Sequence, residues 1–330
     1  MSNPTPRDVQ IVDRLMTNFS LMYMLNKADF LNRTVFPTIP VEFQTGIYAT
    51  YPKGFFLRNE MKVRPLTGTP EYIDYQISNQ NYRVDEYAVG KKIDDRVRAN
   101  AVDPLGPDRA STVLLSNNAI INWEEKFAAN FFQPGIWTNQ YAGVATGPTT
   151  GQFLQFNQAG ADPIGYIQGL SDSMDQATGY RPNVLTLGTA VYRALVNSPQ
   201  LINRIVYSQR GVITEELLAS LLGVDRINVA RGVHNVAKEG QPDNITRIAD
   251  PKSFLLSYAD TSGNVTTDTI TAGANFAWTS LIPGATNALG GVITRGRDVE
   301  AYSDWLHIRQ AFGQAVVAPD LGIFATNAVS

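Results

Sequence analysis

His234 and His307 are the two imidazoles in a chain of 330 residues. They are far apart, and no His-Glu-x-x-His pair brings two ring nitrogens to one helix face as a zinc site requires. Each is read as a structural or surface histidine. Two acidic pairs come next, Glu124-Glu125 and Asp94-Asp95. Neighbouring residues point in different directions on a helix or a strand. Neither pair therefore makes a general acid/base dyad, and solvated faces account for both. Gly90-Lys91-Lys92 lacks the upstream glycine of a phosphate-binding loop, because position 85 is Asp. No Gly-x-Gly-x-x-Gly follows a strand, and no Gly-x-Ser-x-Gly elbow occurs. With no cysteine there is no disulfide, thiolate nucleophile or Cys-ligated zinc. The expectation is a protein that is not an enzyme and has no catalytic, metal or cofactor residues.

Composition narrows the class further. Hydrophobic residues make up 44% and charged residues 17%, below the ~25% usual for a soluble domain, which suggests surface covered by partners. The net charge is −3, from 27 basic and 30 acidic residues, without a basic tail or a run of like charges. Phosphate neutralisation supplies most non-specific DNA affinity, so a DNA reader is disfavoured. A vessel for DNA is not, since walls that gripped a genome would hinder its passage. The 14 Tyr, 15 Phe and 4 Trp are expected in cores and interfaces, because no basic groove accompanies them. The N-terminal residues lack a basic segment followed by an apolar one, and no apolar run approaches ~18 residues. A soluble chain made in the cytoplasm, with no membrane partner, is expected.

The elements can then be placed. Residues 1–35 mix prolines with an apolar stretch, Phe19-Ser-Leu-Met-Tyr-Met-Leu25, that must lie on its own domain or reach a neighbour. Ile73, Tyr75 and Ile77 alternate with polar residues, which predicts a strand. Asn79-Gln80-Asn81 predicts a turn, and Tyr82–Ile93 a second extended run. Such a two-stranded excursion is marginal alone in water. Asp103-Pro104 and Pro107-Asp108 signal the start of a long helix that Pro134-Gly135 stops. Val113/Leu114, Ile120/Ile121, Phe127/Ala128 and Phe131 give it an apolar face, interrupted by Asn117 and Glu124. A second helix begins at Asp162-Pro163 and closes at Gly179. Arg181–Gly188 and Leu221–Ala230 contain buried strands, with short helices between. Phe254–Tyr258 is a strand, Thr261–Thr271 a loop or hairpin, and Val299–Phe324 an extended apolar tail. Candidate core residues are Leu114, Ile121 and Phe127 on the long helix and Leu185 and Leu187 in the first buried strand.

The run from Arg181 to Ala230 resembles the A-domain of tailed-bacteriophage major capsid proteins, the HK97-like fold family. Tyr48-Ala-Thr-Tyr-Pro-Lys-Gly-Phe-Phe-Leu-Arg58 and the strands after it resemble that family's extended E-loop, and Tyr87–Asp95 its return. Asp103–Phe132 resembles the P-domain spine helix, and the tail from Val299 a returning P-domain strand. The resemblance implies an α+β fold with a 1–45 N-terminal arm, a 46–95 E-loop and a 96–135 P-domain segment. An A-domain over 136–298 follows, whose helix 162–178 belongs either there or to the P-domain, and 299–330 returns to the P-domain. It further implies self-assembly through pentamers and hexamers into an icosahedral shell around double-stranded DNA, located in the virion. A portal protein, a separate scaffolding protein and a decoration protein would be partners. Phe55, Phe56, Arg58, Arg64, Tyr75 and Tyr82 would contact neighbouring subunits. The spine helix begins too early for an N-terminal scaffolding segment. Lys53 or Lys62 lies in the loop, but no partner Asn for a covalent crosslink is identified. An encapsulin-type nanocompartment is the alternative. A cytosolic α/β enzyme with a nucleotide site at Asn183–Ala230 is the reading from another class.

Overall fold

In the computed structural model, residues 11–12, 30–31, 34–50, 57–64, 66, 68–74, 77–101, 106–206, 214–260, 270–287 and 289–330 are described. Their strands are β1 (Ile11–Val12), β2 (Thr38–Val41), β3 (Thr45–Thr50), β4 (Ser78–Arg83), β5 (Asp85–Asp94), β6 (Asn139–Val144), β7 (Gln152–Leu154) and β8 (Val184–Gly188). They continue with β9 (Arg226–Ala230), β10 (Val233–Asn235), β11 (Ile245–Arg247), β12 (Phe254–Ser257), β13 (Gly273–Trp278), β14 (Gly291–Asp298), β15 (Ser303–Val316) and β16 (Gly322–Thr326). The helices are α1 (Asp95–Ala99), α2 (Gly106–Phe131), α3 (Pro163–Thr178), α4 (Thr189–Val196), α5 (Pro199–Val206) and α6 (Glu215–Leu222).

The 26 residues of α2 span about 39 Å at ~1.5 Å per residue. Leu115, Ala119, Trp123, Phe127 and Phe131 recur at four-residue steps and are all buried. Leu114, expected in the core, is instead 48% exposed, and Ile121 is half-buried. One residue is about 100° of helix, so a one-step error in the stripe turns a leucine outward. The apolar pattern misplaced the stripe because part of the buried face is hydroxylic. Thr112 Oγ1 donates to the Asp108 carbonyl at 2.8 Å, and Ser116 Oγ to the Thr112 carbonyl at 2.7 Å. These side chains satisfy themselves on the helix backbone and can face the core. Asp103-Pro104, the first expected start signal, lies outside the described residues.

Two sheets flank this helix. The first runs β1-β14-β15-β13-β2, with β5 on the other side of β15. Its Ile293, Leu306 and Ile308 pack on Leu115, Ala119 and Ile120 of α2. Gln310 Nε2 donates to the carbonyls of Ala119 and Leu289 at 3.1 and 2.6 Å. The second runs β7-β6-β16-β12-β8-β9. One of its faces packs Leu185, Leu187 and Phe254 against Ile167 of α3, Val191 of α4 and Leu218 of α6. The other meets the far end of α2, where Phe127, Phe131 and Phe132 join Val184, Leu255 and Phe324. The long helix thus belongs to both cores. Asp162 caps α3 through the Gly165 amide at 2.9 Å, and Gly179 ends it in the left-handed conformation that favours glycine.

Sheet membership departs from the segmentation expected along the chain. Gly273–Trp278 and Gly291–Asp298, assigned to the A-domain segment, pair with β15 in the first sheet. Gly322–Thr326, assigned to the P-domain tail, pairs with β12 and β6 in the second. Short strands carry no mark of which sheet they join. Among the described residues the predicted strand through Ile73 and Ile77 is not formed either, while its Tyr75 lies outside them. Residues 71–74 have no regular structure, and β4 begins at Ser78. The expected turn Asn79-Gln80-Asn81 lies inside β4, paired residue by residue with Ala49, Tyr48 and Ile47. A distant ladder partner overrides local turn chemistry.

Candidate assembly interface

The β3–β4 ribbon is rooted in the first sheet by two rings. Tyr48 and Tyr82 stack on Phe276 at 5.8 and 4.7 Å. Gly46 lies beneath Tyr82, where a Cβ would come within 2.5 Å of the ring. Burial pushes both phenols above their ordinary pKa. Tyr82, expected to face a neighbouring subunit, therefore belongs to its own core. It is the one buried residue of β4, and its ring is the one that finds Phe276.

Beyond this root the chain leaves the body. Met61 and Val63 are 93% and 98% exposed, and Leu66, Tyr72 and Ile73 are exposed with them. Few soluble surfaces leave so many large apolar side chains uncovered in one segment. Arg58 and Arg64 are exposed here as well. Arg58 pairs with Glu60 at 3.3 Å, and Lys62 reaches across the excursion to Glu71 at 2.7 Å. Phe55, Phe56 and Tyr75, the other expected contact residues, lie outside the described residues, as do Lys53 and the apolar stretch 19–25.

The acidic pairs also depart from expectation. Glu124 is 1% exposed, not solvated, and accepts from the Leu31 amide at 3.0 Å. It thereby fixes where the N-terminal residues join the long helix. Glu125 does face solvent and meets His234 Nδ1 at 2.6 Å. Asp94 caps α1 through the Arg96 amide at 2.9 Å, and Asp95 accepts from Arg297 at 2.6 Å. Sequence reading missed the cluster these belong to. Arg98 joins Asp108 at the start of α2 (2.8 Å) to Asp304 of β15 (2.7 Å). Arg297 also reaches Asp304, at 3.0 Å. Burial raises the Asp304 pKa, but hydrogen bonds from Arg297 and Arg98 outweigh it and leave the carboxyl below its ordinary range. The only sequence sign was the local density of Asp and Arg over 94–98 and 295–304.

Phe127, Leu185 and Leu187 lie in the cores, with the Phe127 ring beside those of Phe36 and Phe131 at 6.3 and 5.5 Å. Among the described residues no group of three or more His, Asp or Glu is placed to hold a metal ion. No described helix is long and apolar enough to cross a membrane. A cleft of about 410 Å³ opens between the end of α2 and the 247–253 turn. Its Asp250 is engaged by Ser253 Oγ and the Lys252 amide.

No family model matches the chain. It is 27% identical to the major capsid protein of Burkholderia phage BcepMu over 68% of this chain and 71% of that one. It is 22% identical to the major capsid protein of Pseudomonas phage JBD67 over 97% of both. Among solved structures, a phage-related protein from Bordetella bronchiseptica aligns with a TM-score of 0.70, at 17% identity, over 97% of this chain and 98% of that one. The mature capsid of bacteriophage PhiM1 aligns at 0.53 and 12% identity, covering 90% and 86%. The chain is thus similar along nearly its whole length to phage major capsid proteins, and its fold of long helix, two sheets and outflung loop is the HK97-like fold of phage capsids.

Proposed function

We propose that the chain is a shell subunit whose 51–77 excursion serves as an E-loop laid over an adjacent copy. The uncovered apolar side chains of that excursion, Met61, Val63, Leu66 and Tyr72, carry the reading. They stand exposed on their own subunit, and burial of each large apolar side chain is worth about 1.5–3 kcal/mol. Many such modest contacts, repeated around closed symmetry, hold a shell together. In this reading the first sheet and α2 form the P-domain, and the second sheet with α3–α6 forms the A-domain. Pentamers and hexamers close an icosahedral shell in the virion, assembled in the host cytoplasm around double-stranded DNA that is held without sequence-specific contacts. A portal and a separate scaffolding protein complete the assembly, and a decoration protein is a further candidate partner. The kinship with phage capsid proteins supports a virus shell over an encapsulin compartment or a cytosolic enzyme.

Deleting Asn59–Pro70 tests the reading. The deletion removes only surface that the subunit core does not use. It should leave a folded, soluble chain that forms no closed shells by negative stain. Particles of normal size from the deleted chain would refute the role given to the loop.

A further inference from the structure

Two points fix the direction of a rod. Gln310 of β15 supplies one on α2, where its side chain donates to the Ala119 carbonyl at 3.1 Å and accepts from Asn122 at 3.0 Å. Arg98 of α1 supplies a second. Its Nη2 donates to Asp108, in the first turn of α2, at 2.8 Å, and its Nη1 to Asp304 of β15 at 2.7 Å. The core between these points, Leu115, Ala119 and Ile120 on Ile293, Leu306 and Ile308, is aliphatic and non-directional. It seats α2 on the sheet without choosing an angle. Arg98 is itself held in place. Arg297 of β14 takes the other Asp304 oxygen at 3.0 Å and also grips Asp95 of α1 at 2.6 Å. The Asp95 amide donates to the Tyr302 carbonyl at 3.1 Å, and Tyr302 stands in the left-handed region at φ 46°, where a non-glycine residue is strained. The strained residue thus docks the start of α1 on the β14–β15 turn.

We propose that Arg98 is a positioning residue: it sets the direction of α2 across the first sheet, hence the angle between the two sheets of the subunit, and so the size of shell that the subunits close. The inference rests on the shell reading above and names the residue that fixes the subunit's shape for it. Chemistry selects this role over stability alone. The side chains of Asp108, Asp304 and Arg98 are 6%, 13% and 23% exposed. Buried ion pairs add little net stability, and their best-attested use is to fix register. The planar guanidinium fork also holds two carboxylates at set angles, which a lysine cannot do. The lever is long enough to act. Asp108 and Ala119 are eleven positions apart, ~16 Å of helix. A slip of ~2 Å at Asp108 therefore tilts α2 by about 7° about Ala119 and carries Phe131 about 2 Å the other way. Phe127 and Phe131 share a core with Val184, Leu255 and Phe324 of the second sheet, so the two sheets turn relative to each other. Repeated around a shell, such a turn decides whether neighbours close and at what radius.

Shell diameter tests the role, because a merely structural part would change the yield of shells and not their size. Full-length Arg98→Lys keeps the charge and loses the fork. Full-length Arg98→Met with Asp108→Leu fills the site with apolar groups and leaves Asp304 paired with Arg297. Urea midpoints establish that each variant folds, and negative stain gives the diameters. Both variants are expected to fold and to give shells of more than one diameter, or sheets that do not close. Arg96→Met, which loses only an exposed pair with Asp94, should give shells of the parental diameter. Shells of the parental diameter alone from a folded Arg98 variant would overturn the role while leaving the shell reading intact. Loss of folding in both Arg98 variants would assign the residue to stability and overturn the role as well. Failure of the unsubstituted chain to form particles would overturn the shell reading and this inference together.

Discussion

Leu114 and Leu115 are adjacent, chemically identical and 48% and 1% exposed on the long helix. Truncating Leu115 to Ala removes methyl and methylene groups from the interface of α2 with Ile293 and Leu306. Buried Leu→Ala changes cost about 2–5 kcal/mol, through lost transfer energy and the cavity left behind. Leu114 hides about half its surface, so its truncation forfeits at most ~1 kcal/mol of burial. Ala is also the better helix former by a few tenths of a kcal/mol, which offsets part of the loss. At ~2–4 °C per kcal/mol, Leu115→Ala should lower the subunit melting temperature by roughly 4–20 °C and Leu114→Ala by no more than a few degrees. Differential scanning fluorimetry and urea midpoints on both variants decide the matter. Equal losses, or a larger one for Leu114→Ala, would mean that the helix is rotated by about 100° from the orientation described.

Phe127→Ala empties a buried site beside Phe36 and Phe131 and should cost about 3–5 kcal/mol, giving insoluble or unassembled subunits, whereas Glu125→Ala loses only an exposed contact with His234 and should assemble normally. Shells of Phe127→Ala with unchanged thermal stability would contradict this packing. Burial, aided by Lys92 and Arg309, holds the His307 pKa below its ordinary value of 6.5. The unfolded chain therefore takes up this proton first as pH falls. His307 contributes fully above its ordinary range, and stability should decline as pH drops through that range toward the lower folded pKa. Urea midpoints over roughly pH 5–7 should show this slope in the parent chain and lose it in His307→Gln. Asp95 and Asp298, held low chiefly by hydrogen bonds from Arg297 and Lys92, should titrate at more acidic pH and leave that window alone. With 27 basic against 30 acidic residues, the subunit should bind duplex DNA negligibly at physiological salt; submicromolar binding with a steep salt slope would contradict that.

What was legible in the sequence was whatever is decided locally. The long helix, the capped α3 and the buried strands β8 and β9 carry their own signals in periodicity, an Asp-Pro start, a glycine stop and short apolar-rich runs. The order of these elements also carried the family resemblance. The misreadings arose where a distant partner decides. Glu124 looked solvated until the Leu31 amide, 93 residues away in sequence, was found on it. Asn79-Gln80-Asn81 looked like a turn because its partner strand lies far upstream. Tyr82 is equally at home in a contact or a core, and only Phe276 separates the two. The Arg98 cluster joins residues from four elements, α1, α2, β14 and β15, and no local pattern announces it.

Strand β16 has a consequence for the order of events in making the subunit. It lies inside the second sheet, parallel to β6 on one side and antiparallel to β12 on the other. Yet it is supplied by residues 322–326, after every other described strand of either sheet. Until those residues are available, β7-β6 and β12-β8-β9 are two separate fragments with facing raw edges. Long-range closure of this kind is slow compared with local helix formation. The long helix can form early, but the core at its far end waits for Phe324. Folding is thereby gated by the strand that follows all the other described strands along the chain, so a chain made only as far as β15 has no finished subunit to add to a growing shell.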